Sequence, residues 1–279
     1  MLVGMNKNLL QVFPFVCVVA SLLCSTAAGQ FQWHRTPAGH DELRNEGRPV
    51  LRYMATPYDD STAERRDESY KVYHHVFSPD GTQLLTKGPG GLYPHHRGLF
   101  FGFSKTGYNN GQICDTWHCQ GNTHQSHAQV LHVLEGSERA GHELLINWHG
   151  NEGDVVAHER RELIASQRDG ATIVDFRAQV TPAGDWPLTL DGDPQHAGFQ
   201  FRASQEVAAD TSDQTYYLRT DGQGKPGETR NWNHQHANDP ANEECTNRPW
   251  NAMSFVVGGQ RYTALYLDHP DNPKPACYS

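Results

Sequence analysis

A period of two in the apolar residues constrains this chain more than any other feature. Between positions 171 and 180, Val174, Phe176, Ala178 and Val180 alternate with Asp175, Arg177 and Gln179. Such alternation turns one face of an extended strand to a core and the other to water. Segments 50–54, 70–77, 98–103, 129–134, 143–148, 155–164, 198–203, 215–219 and 261–267 also read as strands. Turn signals separate them, among them Ser78-Pro79-Asp80-Gly81, Asn109-Asn110-Gly111 and Arg168-Asp169-Gly170. No window of twelve residues carries a sustained helical stripe. Many strands without helix partners predict an all-β chain, a large antiparallel β-sandwich (supersandwich-like) with few or no helices. Residues 30–48 and 221–250 read as loop-rich, and no repeat suggests a propeller or solenoid.

The chain divides into a predicted signal peptide, residues 1–29, and one β-sandwich domain, residues 30–279. Lys7 supplies the positive start, an apolar run of 15 residues follows from Leu9 to Leu23, and Ala27-Ala28-Gly29 offers small residues for cleavage. That run is shorter than the roughly 20 residues a spanning helix needs. No later stretch could span, so the mature protein is expected to be exported, periplasmic or extracellular, without a membrane span. With Lys+Arg 23 and Asp+Glu 32, the formal net charge is −9. An acidic chain without a basic block argues against nucleic acid as a partner. Export permits disulfides among Cys114, Cys119, Cys245 and Cys277. Cys114 and Cys119 would lie roughly 16 Å apart on one extended strand, so they can pair only if residues 115–118 fold back. Buried free thiols are the other reading.

The chemistry, if any, sits among the 17 histidines. Gly88-Pro89-Gly90-Gly91-Leu92-Tyr93-Pro94 leads into His95, His96 and Arg97. Neighbouring strand residues face opposite sides, so both imidazoles reach one pocket only if the backbone there is irregular. The glycines and Pro94 permit that. A second cluster is Asp115-Thr116-Trp117-His118, followed by His124 and His127. A third runs from Asp191 through Asp193, His196 and Arg202. A fourth is Asp268-His269-Pro270-Asp271-Asn272-Pro273. Imidazoles from several loops could hold a divalent metal ion, zinc, copper or iron. Alternatively, His, Arg and Asp could move protons on a sugar. No compact motif such as His-Glu-x-x-His or Cys-x-x-Cys decides between them. His34, His40, His142, His149 and His158 read as structural. Trp117 and Trp148 could stack on a sugar or simply fill the core. Glu159, between His158 and Arg160, is a candidate carboxylate, although such a charge run also suits a strand edge.

The segments Tyr93-Pro94-His95-His96-Arg97-Gly98-Leu99, Asp115-Thr116-Trp117-His118, Gly192-Asp193-Pro194-Gln195-His196-Ala197-Gly198-Phe199, Asn231-Trp232 and 268–273 resemble the PmoA-like family of exported bacterial proteins. The resemblance spans roughly residues 45–275. It implies a carbohydrate role, because members often sit among sugar-catabolic oxidoreductases. The family also carries a methane oxygenase label, which implies copper or iron. By position it singles out His95, His96, Arg97, Trp117, His118, His196, His269 and Asn272. Similar proteins continue for several strands beyond the His-Pro-x-Asn-Pro motif, so an open sheet edge is expected after position 273.

Together these readings predict an enzyme acting on a small sugar or glycan, by hydrolysis, elimination or epimerisation. His96, His118, His196, Asp193 and Glu159 are the catalytic candidates. His95, Arg97, Trp117, Arg202, His269 and Asn272 are the substrate-binding candidates. A non-catalytic carbohydrate-binding module and a copper or iron oxygenase are the alternatives.

Overall fold

The computed structural model describes residues 30–278 except 230, 234, 235 and 237; the expected signal segment lies outside the described residues. In chain order the elements begin with β1 (Phe31–Arg35), β2 (Asp41–Asn45), β3 (Arg48–Met54), α1 (Ala63–Ser69), β4 (Tyr73–Val76), β5 (Leu99–Phe103) and β6 (Lys105–Tyr108). There follow β7 (Gln112–Cys114), β8 (His124–Leu134), β9 (Arg139–His149), β10 (Val155–Arg168), β11 (Ala171–Pro182), β12 (Thr189–Asp191) and β13 (Ala197–Phe201). The chain continues through α2 (Gln205–Ala209), β14 (Tyr216–Arg219), β15 (Gly222–Gln223), β16 (Trp250–Val257) and β17 (Gln260–Leu267).

The strands form antiparallel sheets in the orders β1-β2-β3-β4-β5-β13, β11-β10-β9-β8, β12-β6-β7 and β15-β14-β16-β17. The first two pack face to face. Phe31, Leu43, Val50, Leu51 and Leu99 of one meet Ala140, Leu163 and Ala165 of the other. Each fully buried Leu here contributes about 1.5–3 kcal/mol. The last sheet joins through Phe255 and Val257, which pack with Leu85 and with Val207 of α2. The fold is therefore the all-β, sandwich-like architecture that the alternation predicts.

Local chemistry explains the register. Strand β11 alternates as read, with Val174, Phe176, Ala178 and Val180 half-buried and their neighbours mostly exposed. Asp169 (φ 53°) and Gly170 (φ 76°) both take the left-handed conformation between β10 and β11. That is the two-residue turn whose twist matches paired strands.

Two expectations change, and one open alternative is decided. Residues 30–48, read as loop, supply paired strands β1 and β2, and Phe31 and Leu43 are fully buried. Segment 70–77 is a strand only over Tyr73–Val76, because α1 precedes it. That helix is capped by the Thr62 hydroxyl, which accepts from Arg65 N at 3.2 Å. Its seven residues are too few to show a helical period. Cys114 and Cys119 are buried free thiols, although residues 115–118 do fold back: Cys119 N donates to Asp115 O at 3.0 Å.

Candidate active site

Three loops bring their imidazoles to the indole of Trp117. Its ring centroid lies 5.2 Å from His95, 5.7 Å from His96, and 4.6 Å from both His118 and His196. His95 is 4.6 Å from His96 and 5.0 Å from His118, while His118 is 4.9 Å from His196. The guanidinium of Arg202 lies 5.3 Å over the Trp117 ring. All four imidazoles are partly exposed, so the cluster opens at the surface.

The first loop reaches the site because its backbone is irregular. Gly90 (φ 74°), Gly91 (φ 67°) and Tyr93 (φ 52°) take left-handed conformations, and His96 N closes a turn on Tyr93 O at 2.9 Å. Both consecutive histidines thereby face the same ring. The segment from α1 to β4 clamps this loop. Tyr70 Oη donates to Pro94 O at 2.9 Å, Lys71 Nζ to His95 O at 2.9 Å, and Asp67 Oδ2 accepts from Gly90 N at 2.8 Å. Lys71 Nζ also donates to the Trp117 carbonyl, joining the first loop to the second.

The second and third loops repeat one device, Asp-x-x-His. Asp115 Oδ1 accepts from the backbone N–H groups of Trp117 (3.0 Å) and His118 (2.7 Å), while its Oδ2 meets His118 Nδ1 at 2.6 Å. Asp193 Oδ1 accepts from Gln195 N at 3.0 Å, and its Oδ2 meets His196 Nδ1 at 3.1 Å. In each dyad the carboxylate accepts a hydrogen bond from Nδ1–H, which leaves a basic lone pair on Nε2. Gly102 of β5 makes room for the second turn. A Cβ there would stand 2.6 Å from Thr116 O.

Burial disfavours the charged form of three of the imidazoles, His95, His96 and His196. Burial first, then the neighbouring cations, pushes His95 down to about 4 and His96 to about 2. Burial lowers His196 as well, against the opposing pull of Asp193. Lys71 is pushed down to about 7 by complete burial.

Several sequence candidates take other roles. Trp117 is fully buried; it is a floor for the rings and presents no face to a ligand. Trp148 is buried too and donates through Nε1 to Glu159 at 2.9 Å. Glu159 is sealed in the core, paired with Arg161 at 2.6 Å; strand alternation turned it inward, so its catalytic assignment is withdrawn. Arg97 is buried and spent on the loop: it binds Asp67 Oδ1 at 3.1 Å and the carbonyl of Pro94. It holds the site rather than contacting substrate. His269 and Asn272 belong to the exposed turn after β17, where Asn272 donates to Asp268 at 2.8 Å. Lys71, Asp67 and Tyr70 escaped the sequence reading, since nothing in a short capped helix and its exit marks them as site residues.

Among the described residues, no group of three or more His, Cys, Asp or Glu side chains is placed to hold one ion. No described helix is long and apolar enough to cross a membrane.

The model of a family described as "Family of unknown function (DUF6807)" matches residues 41–278. No curated protein matches the chain, and no solved structure matches it.

Proposed function

The chain belongs to the DUF6807 family, and we propose that it is an exported, carbohydrate-active enzyme that moves protons on a sugar. The carrying observation is the pair of Asp-oriented imidazoles, His118 and His196, 4.9 Å apart at an open surface cluster. One neutral imidazole removes a proton through Nε2. The other, protonated, returns one: to the opposite face of the same carbon in epimerisation, to the departing oxygen in elimination, or to the glycosidic oxygen in hydrolysis, where the proton removed is that of the attacking water. Such a pair serves epimerisation, elimination or glycoside cleavage, with each carboxylate fixing its ring and stabilising the imidazolium that forms. His95 and His96 stay neutral near pH 7 and offer hydrogen bonds to hydroxyl groups.

The resemblance noted from the sequence supports the sugar assignment, and three of its segments, 93–99, 115–118 and 192–199, bring their histidines to Trp117. A binding module built on Trp117 and Trp148 as stacking platforms is disfavoured, because both rings are buried.

Incubating the purified protein with a panel of aldoses, uronates and glycosides in D2O, followed by proton NMR, tests the reading. New product signals, or deuterium entering a sugar C–H position, are expected. Their disappearance in His118→Asn and His196→Asn would assign them to the pair. Binding of sugars without any turnover would make the protein a module, and no response from any sugar would overturn the carbohydrate reading.

A further inference from the structure

Among the described residues, basic side chains gather behind the imidazoles with no carboxylate bonded to them. Lys71, fully buried, donates to the carbonyls of His95 and Trp117. Its ammonium lies 4.0 Å from the centre of the Phe100 ring. Lys87, 4% exposed, donates to the carbonyls of Gly88 and Gly90. Arg202 donates to Gln195 O and to Gln200 Oε1, and its Nε is a buried donor without a partner. The carboxylates of this neighbourhood are already engaged. Asp67 pairs with Arg97, Asp115 with His118 and Asp193 with His196.

Neutral carbonyls satisfy hydrogen bonds but leave positive charge in a half-buried region, where it costs more than in water. The whole chain is acidic at −9, so this is a local excess against the general balance. Arg202 stands directly at the cluster, its guanidinium 5.3 Å over the Trp117 ring on which the imidazoles rest. An oxyanion seated among the rings would supply the missing negative charge.

Resting on the carbohydrate reading above, we infer that the sugar bound at the imidazole cluster carries an oxyanion, which sits on the Arg202 side of that cluster. The group is a carboxylate, as in a uronate, or a sulfate or phosphate ester. Charge-assisted bonds to such a group are stronger and more directional than bonds to a hydroxyl.

Calorimetric titration of the whole protein with D-glucose, D-glucuronate, D-glucose 6-sulfate, D-glucose 6-phosphate, inorganic phosphate and acetate tests this inference. At least one anionic sugar should bind about tenfold or more tightly than glucose, and the strongest member identifies the oxyanion. Folded Arg202→Gln protein should lose most of that preference. If that variant does not fold, the wild-type comparison still decides the question of charge. Glucose binding as tightly as every anionic member overturns the inference while keeping the sugar site. Binding of inorganic phosphate or acetate with no sugar bound keeps an anion site and overturns the carbohydrate reading. No binding by any probe overturns both, and full preference in Arg202→Gln removes Arg202 from the site.

Discussion

His118 and His196 come from turns 78 positions apart in the chain, yet their rings stand 4.9 Å apart, each tied through Nδ1 to an aspartate three residues earlier. The separation in sequence matters because each turn closes locally, by an Asx cap, before the two meet. The sheet then needs only to align two preformed units: Ser104 N of the β5–β6 link donates to His196 O at 2.9 Å, and Phe103 O accepts from Thr116 N at 3.0 Å.

Asp115→Asn should keep the fold and lose the chemistry. The amide can still accept the backbone N–H bonds, but its NH2 group can face Nδ1 and favour the wrong tautomer. Turnover should fall by about 10²–10⁴-fold with the thermal midpoint nearly unchanged. A matching fall in the midpoint would mark the dyad as structural.

Gly102→Ala should damage the site through packing alone. The new methyl would press on Thr116 O from 2.6 Å, and backbone cannot swing aside as a long side chain does. A loss of roughly 1–3 kcal/mol in urea unfolding is expected, together with weaker ligand binding, since the displaced turn carries His118. Unchanged binding in this variant would show that the turn has room to adjust.

Stability should decline in mild acid. Burial, ahead of neighbouring cations, holds His75 and His142 down to about 3 and His74 well below its ordinary value. His74 Nε2 meets His142 Nε2 at 2.7 Å, an arrangement that needs a lone pair on one ring. The unfolded chain binds protons on these rings below about pH 6.5 and the folded chain does not, so unfolding takes up protons. The stabilisation is present above pH 6.5 and is lost as pH falls toward 3. Between pH 7.5 and 5 each such group accounts for about 2 kcal/mol as an order of magnitude. Urea melts at the two values measure it; equal stabilities would contradict the burial of neutral rings.

Glu159→Ala should act on stability and not on chemistry. It strands the buried Arg161 guanidinium and the Trp148 N–H, so a loss of roughly 3–5 kcal/mol is expected. If a folded fraction can be prepared, its turnover per folded molecule should match the wild type.

The sandwich was legible because alternation and turn residues act locally: Val174 to Val180 face inward as their spacing requires, and Asp169-Gly170 makes the hairpin that its φ angles demand. Strands β1 and β2 were not, since Gln32, His34 and Arg44 give weak alternation around Phe31, Trp33 and Leu43, and only pairing settles them. For the candidate site, the polar neighbours of His96, His118 and His196 marked loops that meet at Trp117. The same logic failed at Glu159, where a carboxylate beside His and Arg reads alike whether it faces water or core. Lys71 was invisible for the opposite reason: its role comes from where β4 lies against the loop, a tertiary fact with no local signature.

Four imidazoles from three loops rest on one indole, so Trp117 makes a single mechanical unit of them. Replacing that ring, even by Phe, would tilt the whole set at once. Paired substitutions among His95, His96, His118 and His196 should then depart from additivity, and variation at these positions would have to proceed in concert.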